Sequence, residues 1–201
     1  MNQLVIIGAS AMGRETCAYA QECGMKVKGF LDSRTTILDK YEGYPPILGA
    51  VESWRPSDDE AYICACGEPQ VKRKYVEMFP NVKWGTIVHP TAYVGPNVSI
   101  GHGTIICPRV TITTDTKIGN HVIVNVNVSI SHDCFVGDHT TISPGCHVAG
   151  WCSIGASSFL GVHSAMIPHI ILGEQVFVAA GAVVVRSVKS GRVMGLPAKP
   201  K

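Results

Sequence analysis

Charge is scarce in this sequence. Asp, Glu, Lys and Arg together make up 16% of its 201 residues, and the formal net charge is only +2. No basic run occurs, so the electrostatic footprint of a nucleic-acid or anionic-membrane ligand is missing, and neither is expected as a partner. Long apolar runs are missing too: no stretch approaches the ~20 residues that a membrane span needs. The opening Met1-Asn2-Gln3-Leu4 lacks the basic residues of a signal peptide and runs straight into a strand-like segment. These absences predict a cytoplasmic protein. Eight cysteines stand against that trend, but Cys64 and Cys66 alternate along a strand-like segment. Cys134, Cys146 and Cys152 recur where small residues are expected. They read as reduced packing thiols, not as disulfides or zinc ligands. With 46% apolar residues, the chain has ample material for a core.

What is abundant is order at a period of six. From Val94 an aliphatic residue recurs at every sixth position, through Ile100, Ile106, Ile112, Ile118 and Val124 to Val178 and Val184. Four residues after each comes a small or β-branched one, such as Thr104, Val110, Thr116, Val122, Cys134, Thr140 or Ser158. Glycine often follows the aliphatic residue directly, as at Gly95, Gly101, Gly119, Gly137, Gly155, Gly161 and Gly173, and is expected to relieve the corners. A helix repeats every 3.6 residues and a strand every two; neither demands six. A solenoid of short strands does, with one aliphatic and one small residue per hexad filling a narrow prism.

The first eighty residues read differently. Leu4–Ile7 is an apolar strand, followed by the glycine-bounded turn Gly8-Ala9-Ser10-Ala11-Met12-Gly13 and a helical stretch from Arg14 to Glu22. Further strands are expected at 27–32, 61–67 and 82–88, with a helix at 69–79. Strands alternating with helices predict a small, Rossmann-like parallel α/β domain over residues 1–84, ahead of an all-β domain over 85–201. A glycine-rich strand-to-helix turn aims backbone N–H groups at phosphate. Asp32, at the end of the second strand, suits a sugar hydroxyl. Ala11 replaces the middle glycine of the dinucleotide motif, and the region is too short for two mononucleotide halves, so a nucleotide-sugar fits better than NAD.

Together the two halves resemble the hexapeptide-repeat sugar acetyltransferases of the UDP-N-acetylbacillosamine N-acetyltransferase and sialic-acid O-acetyltransferase type. The resemblance runs over nearly the whole chain. It is carried by the turn at 8–13, Phe30-Leu31-Asp32, Gly67, His132-Asp133 followed by Gly137, Ser143-Pro144-Gly145, and the closing Gly195-Leu196-Pro197-Ala198-Lys199. It implies a left-handed parallel β-helix of roughly five coils, a homotrimer with sites between subunits, acetyl-CoA as co-substrate, no metal, and a nucleotide-sugar acceptor. It matches His132 to the general base and Asp133 to the acid that orients it and raises its basicity. Ser10, Ala11, Met12, Asp32, Ser33 and Gly67 match nucleotide-sugar positions, and Asn125 a position near the sugar. Thr141, Val162, Ala180 and Gly181 match the acetyl-CoA cleft. Met12 stands where better-known members often carry histidine, so the acceptor sugar is left open.

The stacking arithmetic supports His132 among eight histidines. Residues eighteen apart lie on one another, which puts His132 between Thr114 and Gly150 and leaves the ring uncovered. His121 and His139 stack as a surface ladder or a metal pair, although two imidazoles alone make a poor site. His163 and His169 are expected near the acyl cleft, while His89, His102 and His147 read as structural. The expected chemistry is direct N-acetylation of a nucleotide-linked amino deoxysugar, without a covalent acyl-enzyme. The alternatives are O-acetylation of sialic acid or a related sugar, a zinc carbonic anhydrase on the same fold, and a non-catalytic sugar-binding scaffold.

Overall fold

The computed structural model describes residues 3–195. Met1, Asn2 and the Leu196–Lys199 part of the closing motif lie outside the described residues. The chain forms a small α/β layer followed by a parallel β-solenoid.

The α/β layer comprises β1 (Gln3–Ile7), α1 (Ala11–Glu22), β2 (Val27–Leu31), β3 (Ile47–Gly49), β4 (Glu60–Cys64) and α2 (Pro69–Glu77). Its four strands are parallel in the order β3-β2-β1-β4. β1 is the middle of a two-sided sandwich: Val5, Ile6 and Ile7 are wholly buried. This is why it reads as an unbroken apolar run rather than an alternating one. α1 begins at Ala11, three residues before the expected Arg14, with Ser10 as its N-cap. Gly13 explains the early start. A Cβ there would lie 2.0 Å from the Gly8 carbonyl oxygen, so only glycine lets the first helical turn settle on the loop.

The sheet's fourth strand differs from expectation. It is Ile47–Gly49, a three-residue edge strand, and not 82–88. Residues 82–88 contribute one bridge, Tyr62 with Trp84, and then Ile87–Val88 opens the solenoid.

In the solenoid each hexad supplies a two-residue strand, and successive strands turn onto three parallel faces of seven, five and six strands. Residues eighteen apart pair, as in Ile123 with Thr141 and Ile130 with Val148. The coil is longer than roughly five turns because Ile87–Val88 and Arg192–Val193 cap the ends of the seven-stranded face. The aliphatic position points inward, and Ile106, Ile112, Val124, Ile130, Val136, Ile142, Ile154 and Leu160 have no exposure.

The second inward position has a further function. Thr104, Thr116, Thr140 and Ser158 are buried, and each hydroxyl donates to a backbone carbonyl fifteen residues ahead. Each also accepts an N–H from the residue eighteen ahead. Cys134, Cys146 and Cys152 donate their S–H to carbonyls in the same way. All eight cysteines are free, so the coil thiols are hydrogen-bond donors inside the prism.

The glycines that directly follow the aliphatic residues do not occupy the left-handed corner position. That position falls two residues later, at Asn97, Gly103, Arg109, Asp115, His121, Asn127, Asp133, His139 and onward to Gly181, and most of its occupants are not glycine. Gly95, Gly137, Gly155 and Gly173 instead permit close stacking. A Cβ on Gly155 would lie 2.4 Å from the Gly173 backbone, and one on Gly137 2.5 Å from Ala156.

Candidate active site

The corner between the six- and five-stranded faces carries a column of side chains in register: Asn97, Asp115, Asp133, Trp151 and His169. The Asn97 amide donates to Asp115 at 2.9 Å, and Trp151 stacks on His169 at 4.8 Å. His132 immediately precedes the column. Its Nδ1 is 2.9 Å from Asp133 Oδ2, and the two side chains are 42% and 46% exposed. The ring lies over Gly150, where a Cβ would approach it to 2.6 Å, and the edge of Trp151 closes one side at 4.5 Å. The glycine clears the space, the indole limits ring rotation, and Asp133 fixes Nδ1 as the donor. Nε2 then carries the lone pair, and the missing Gly150 side chain leaves it uncovered. The Asp115 carboxyl is held below its usual range by the Thr114 hydroxyl and the Asn97 amide, with a smaller pull from His132.

A second feature lies in the α/β layer, at the carboxyl ends of its parallel strands, where ligands of such sheets bind. A cavity of about 330 Å³ there is lined by Gly8, Ser10, Asp32, Ser33, Arg34, Cys66, Val71 and Tyr75. Asp32 is 6% exposed, and its carboxylate accepts the Ala9 N–H, the Arg34 N–H and two guanidinium N–H groups, each at 3.0 Å. Burial pushes its pKa up, but the Arg34 guanidinium and the two backbone donors outweigh burial and hold it below the usual range. Asp32 therefore orders the glycine turn and aims Arg34 along the rim. Ser33 bonds Glu52 at 2.8 Å.

Of the expected sugar residues, Ser10, Asp32 and Ser33 line this cavity. Met12 lies outside the lining and reaches the solenoid, its sulfur 4.0 Å from Asn125 Nδ2. Ala11 is exposed, and Gly67 opens the turn into α2. The expected acyl residues also divide. Val162, Ala180 and Gly181 share an exposed corner of the last coils, with the Gly181 N–H bonded to the Val162 carbonyl at 2.8 Å. Thr141 is elsewhere: it is 3% exposed beneath α2, and its hydroxyl accepts a bond from Lys72 Nζ at 2.8 Å. His163 joins the Val162 corner, resting over Gly145, whereas His169 belongs to the His132 column.

Lys72 was not legible as a functional residue. It is wholly buried, and Nζ also donates to the Thr140 carbonyl at 3.1 Å, pinning α2 to the solenoid. Burial pulls its pKa down to about 7 against the opposing influence of Cys64 and Cys66.

The His121–His139 pair is stacked at 5.2 Å beside Trp84 and His102. Burial, and then the neighbouring His139, His102 and Lys72, lower His121 to about 3. The pair packs as a partly buried ladder, with His139 lowered chiefly by burial as well, and no cluster of three metal-ligating side chains occurs among the described residues. His89 is held by Glu22 and Thr91, tying α1 to the start of the solenoid. No helix among the described residues is long and apolar enough to cross a membrane.

Residues 3–79 match the PglD N-terminal domain family. Over its full length the chain is similar to the acetyltransferase domain of PglB from Neisseria gonorrhoeae FA1090 in complex with acetyl coenzyme A. The two are 28% identical, all of each chain is covered, and the TM-score is 0.86. It is likewise similar to PerB from Caulobacter crescentus in complex with CoA and GDP-perosamine, at 29% identity, with 100% of this chain and 98% of that chain covered and a TM-score of 0.86. WeeI from Acinetobacter baumannii AYE matches at 25% identity, with 96% and 94% covered and a TM-score of 0.70. A curated relative, an uncharacterized protein of Acanthamoeba polyphaga mimivirus, is 29% identical over 96 residues, and the match spans 19% of that protein. Residues 3–79 thus match the PglD N-terminal domain family, and over its full length the chain is similar to these acetyltransferase structures.

Proposed function

We propose that this protein is an acetyl-CoA-dependent N-acetyltransferase acting on the amino group of a nucleotide-linked amino deoxysugar in glycan biosynthesis, with His132 as general base. The observation that carries the reading is the His132–Asp133 pair: a half-exposed imidazole held at Nδ1, uncovered by Gly150, with Nε2 open. The neutral acceptor amine attacks the thioester carbonyl, Nε2 takes the amine proton, and the C–S bond breaks to release the CoA thiolate. General-base help of this kind contributes ~10²–10⁴-fold. Nothing in this route passes through an enzyme-bound acyl group or a metal ion.

The division of labour follows residues 1–84 and 85–201. The cavity at Asp32 holds the nucleotide, and Val162, Ala180 and Gly181 border the CoA arm. Within one chain these parts do not converge. Met12 and Asn125 lie at one edge of the six-stranded face, and His132 lies at the other, one full face away. A homotrimer resolves this, with His132 of one subunit facing the nucleotide cavity of the next. The apolar side chains on the solenoid's outer surface support such burial: Tyr93 and Val183 on one face, and Phe135 and Ile171 on another, are each about half exposed or more.

The test is a panel of UDP- and GDP-linked amino sugars and their hydroxyl counterparts with acetyl-CoA, followed by release of free thiol. Turnover confined to amino sugars is expected. Turnover of sialic acid would transfer the reading to O-acetylation, and no thiol release with any acceptor would contradict catalysis altogether.

A further inference from the structure

The cavity beside the glycine turn contains chemistry that acetyl transfer does not use. β4 ends at Cys64, and Cys66 follows two residues later on the same side of the chain. The Cys64 sulfur lies 4.0 Å from the Lys72 carbonyl oxygen, at the start of α2. Cys64 is 1% exposed, whereas Cys66 is half-buried and forms part of the cavity wall with Ser10, Asp32 and Tyr75. Its sulfur lies 3.2 Å from where a side chain on Gly8 would begin and 3.9 Å from the Ile7 carbonyl oxygen, directly under the turn.

The other thiols have a different character. Burial raises Cys17, Cys23, Cys107, Cys134, Cys146 and Cys152, while the neighbouring Cys66 and burial raise Cys64. Cys66 alone is lowered, first by the neighbouring Cys64 and further by Lys72 and Arg34, against burial and Asp32. A cavity-lining thiol two residues from a second thiol on the same side of the chain is an arrangement suited to reversible peroxide sensing.

We propose that Cys66 is an oxidisable site reached by hydroperoxides through the nucleotide cavity, that Cys64 resolves it to a Cys64–Cys66 disulfide, and that the oxidised form no longer holds the nucleotide-sugar. The last clause rests on the reading of this cavity given above. The Cys66 thiolate attacks one oxygen of hydrogen peroxide, the O–O bond breaks, and protonation of the leaving oxygen yields water and a sulfenic acid. The Cys64 sulfur then attacks the Cys66 sulfur, the S–S bond forms, and the hydroxyl leaves as water with the Cys64 proton. Two thiols lose two electrons and the peroxide gains them. Residues two apart on an extended chain stand ~6.7 Å apart, near the upper limit for a disulfide, so closing the bridge draws in the end of β4. That movement falls on the bond from the Ala65 N–H to the Ile7 carbonyl, next to Gly8.

Three measurements on the full chain test this. With limiting iodoacetamide, peptide mapping is expected to find Cys66 labelled first among the eight thiols, and at least ~10-fold more slowly with saturating UDP or GDP. Hydrogen peroxide is expected to remove two hydrogens from the Cys64–Cys66 peptide, reversibly with dithiothreitol. Cys64→Ser should instead gain oxygen at Cys66. Calorimetry is expected to show nucleotide affinity falling at least ~10-fold on oxidation and returning on reduction. Prior labelling of another thiol, survival of both thiols in peroxide, or unchanged affinity of the oxidised protein would each overturn the proposal. If the reduced protein binds neither nucleotide, the cavity reading fails, while the mass measurements still decide the thiol chemistry.

Discussion

The α/β layer and the solenoid place functional side chains by opposite means. The solenoid repeats one local rule, so His132 is positioned by its neighbours eighteen residues away, Thr114 and Gly150, and by a corner that recurs every six residues. The α/β layer uses each interaction once: Asp32 alone ties the glycine turn to Arg34, and Lys72 alone pins α2 to Thr140 and Thr141. Redundancy gives the solenoid tolerance at most positions and severe intolerance where two coils touch. The single-use contacts give the α/β layer adjustable geometry around a ligand.

The largest effect is expected where coils touch. Gly155→Val puts a Cβ within 2.4 Å of the Gly173 backbone, and the coil has no slack there. The expected outcome is loss of the folded species by circular dichroism and gel filtration. Gly24→Ala, in open space but at positive φ, should cost only about 1 kcal/mol. Equal tolerance of the two would break the stacking account.

The next effect belongs to the α/β layer. Asp32→Asn removes the charge that organises the turn and Arg34. It is expected to raise the nucleotide-sugar KM by ~10–100-fold and leave the acetyl-CoA KM nearly unchanged. Steady-state kinetics with each substrate varied separates this from general damage, which would move both.

Lys72 gives a smaller effect with a definite sign. Its pKa is about 7 in the folded chain and 10.5 when unperturbed. Between those values the unfolded chain holds a proton that the folded chain lacks. The Lys72 contribution therefore makes stability rise with pH from about 7 to 10.5, by a few kcal/mol. Urea melts at pH 7 and pH 9.5 should show this slope in the wild type and its reduction in Lys72→Met. A slope unchanged by the substitution would mean that Lys72 is not the titrating group.

The smallest effect is expected inside the prism. Cys146→Ser keeps a second donor for the Gly161 carbonyl, now as a hydroxyl, and should shift stability by about 1 kcal/mol, whereas Cys146→Ala leaves that carbonyl with the Ser164 N–H, empties the thiol's space, and should cost more.

How much of this was legible in the sequence follows the same division. The solenoid was readable because its rule is local and repeated: the aliphatic series pointed inward as its spacing required, and eighteen-residue stacking placed His132 over Gly150. The left-handed corners were not readable, because Arg109, Trp151 and Gln175 carry no local mark of positive φ; stacking imposes that conformation. In the α/β layer the turn and Asp32 were visible. The strand Ile47–Gly49 was not, being three half-buried residues after two prolines. Lys72 was invisible because its partners, Thr140 and Thr141, are nearly seventy residues away and only the fold brings them together.

The most direct test of the account is a comparison of His132→Gln with the wild type in acetyl-CoA turnover, read by thiol release, together with a mixing experiment. His132→Gln should lower kcat by ~10²–10⁴-fold with both KM values little changed, and adding Asp133→Asn should make it scarcely worse. Co-assembly of His132→Gln with Asp32→Asn subunits, assayed at nucleotide-sugar well below the wild-type KM, should then restore roughly a quarter of the sites, because some cavities pair an intact Asp32 with an intact His132 from the neighbour. Near wild-type turnover by His132→Gln in an intact assembly would contradict His132 as the base, and failure of the mixture to regain activity would contradict a site shared between subunits.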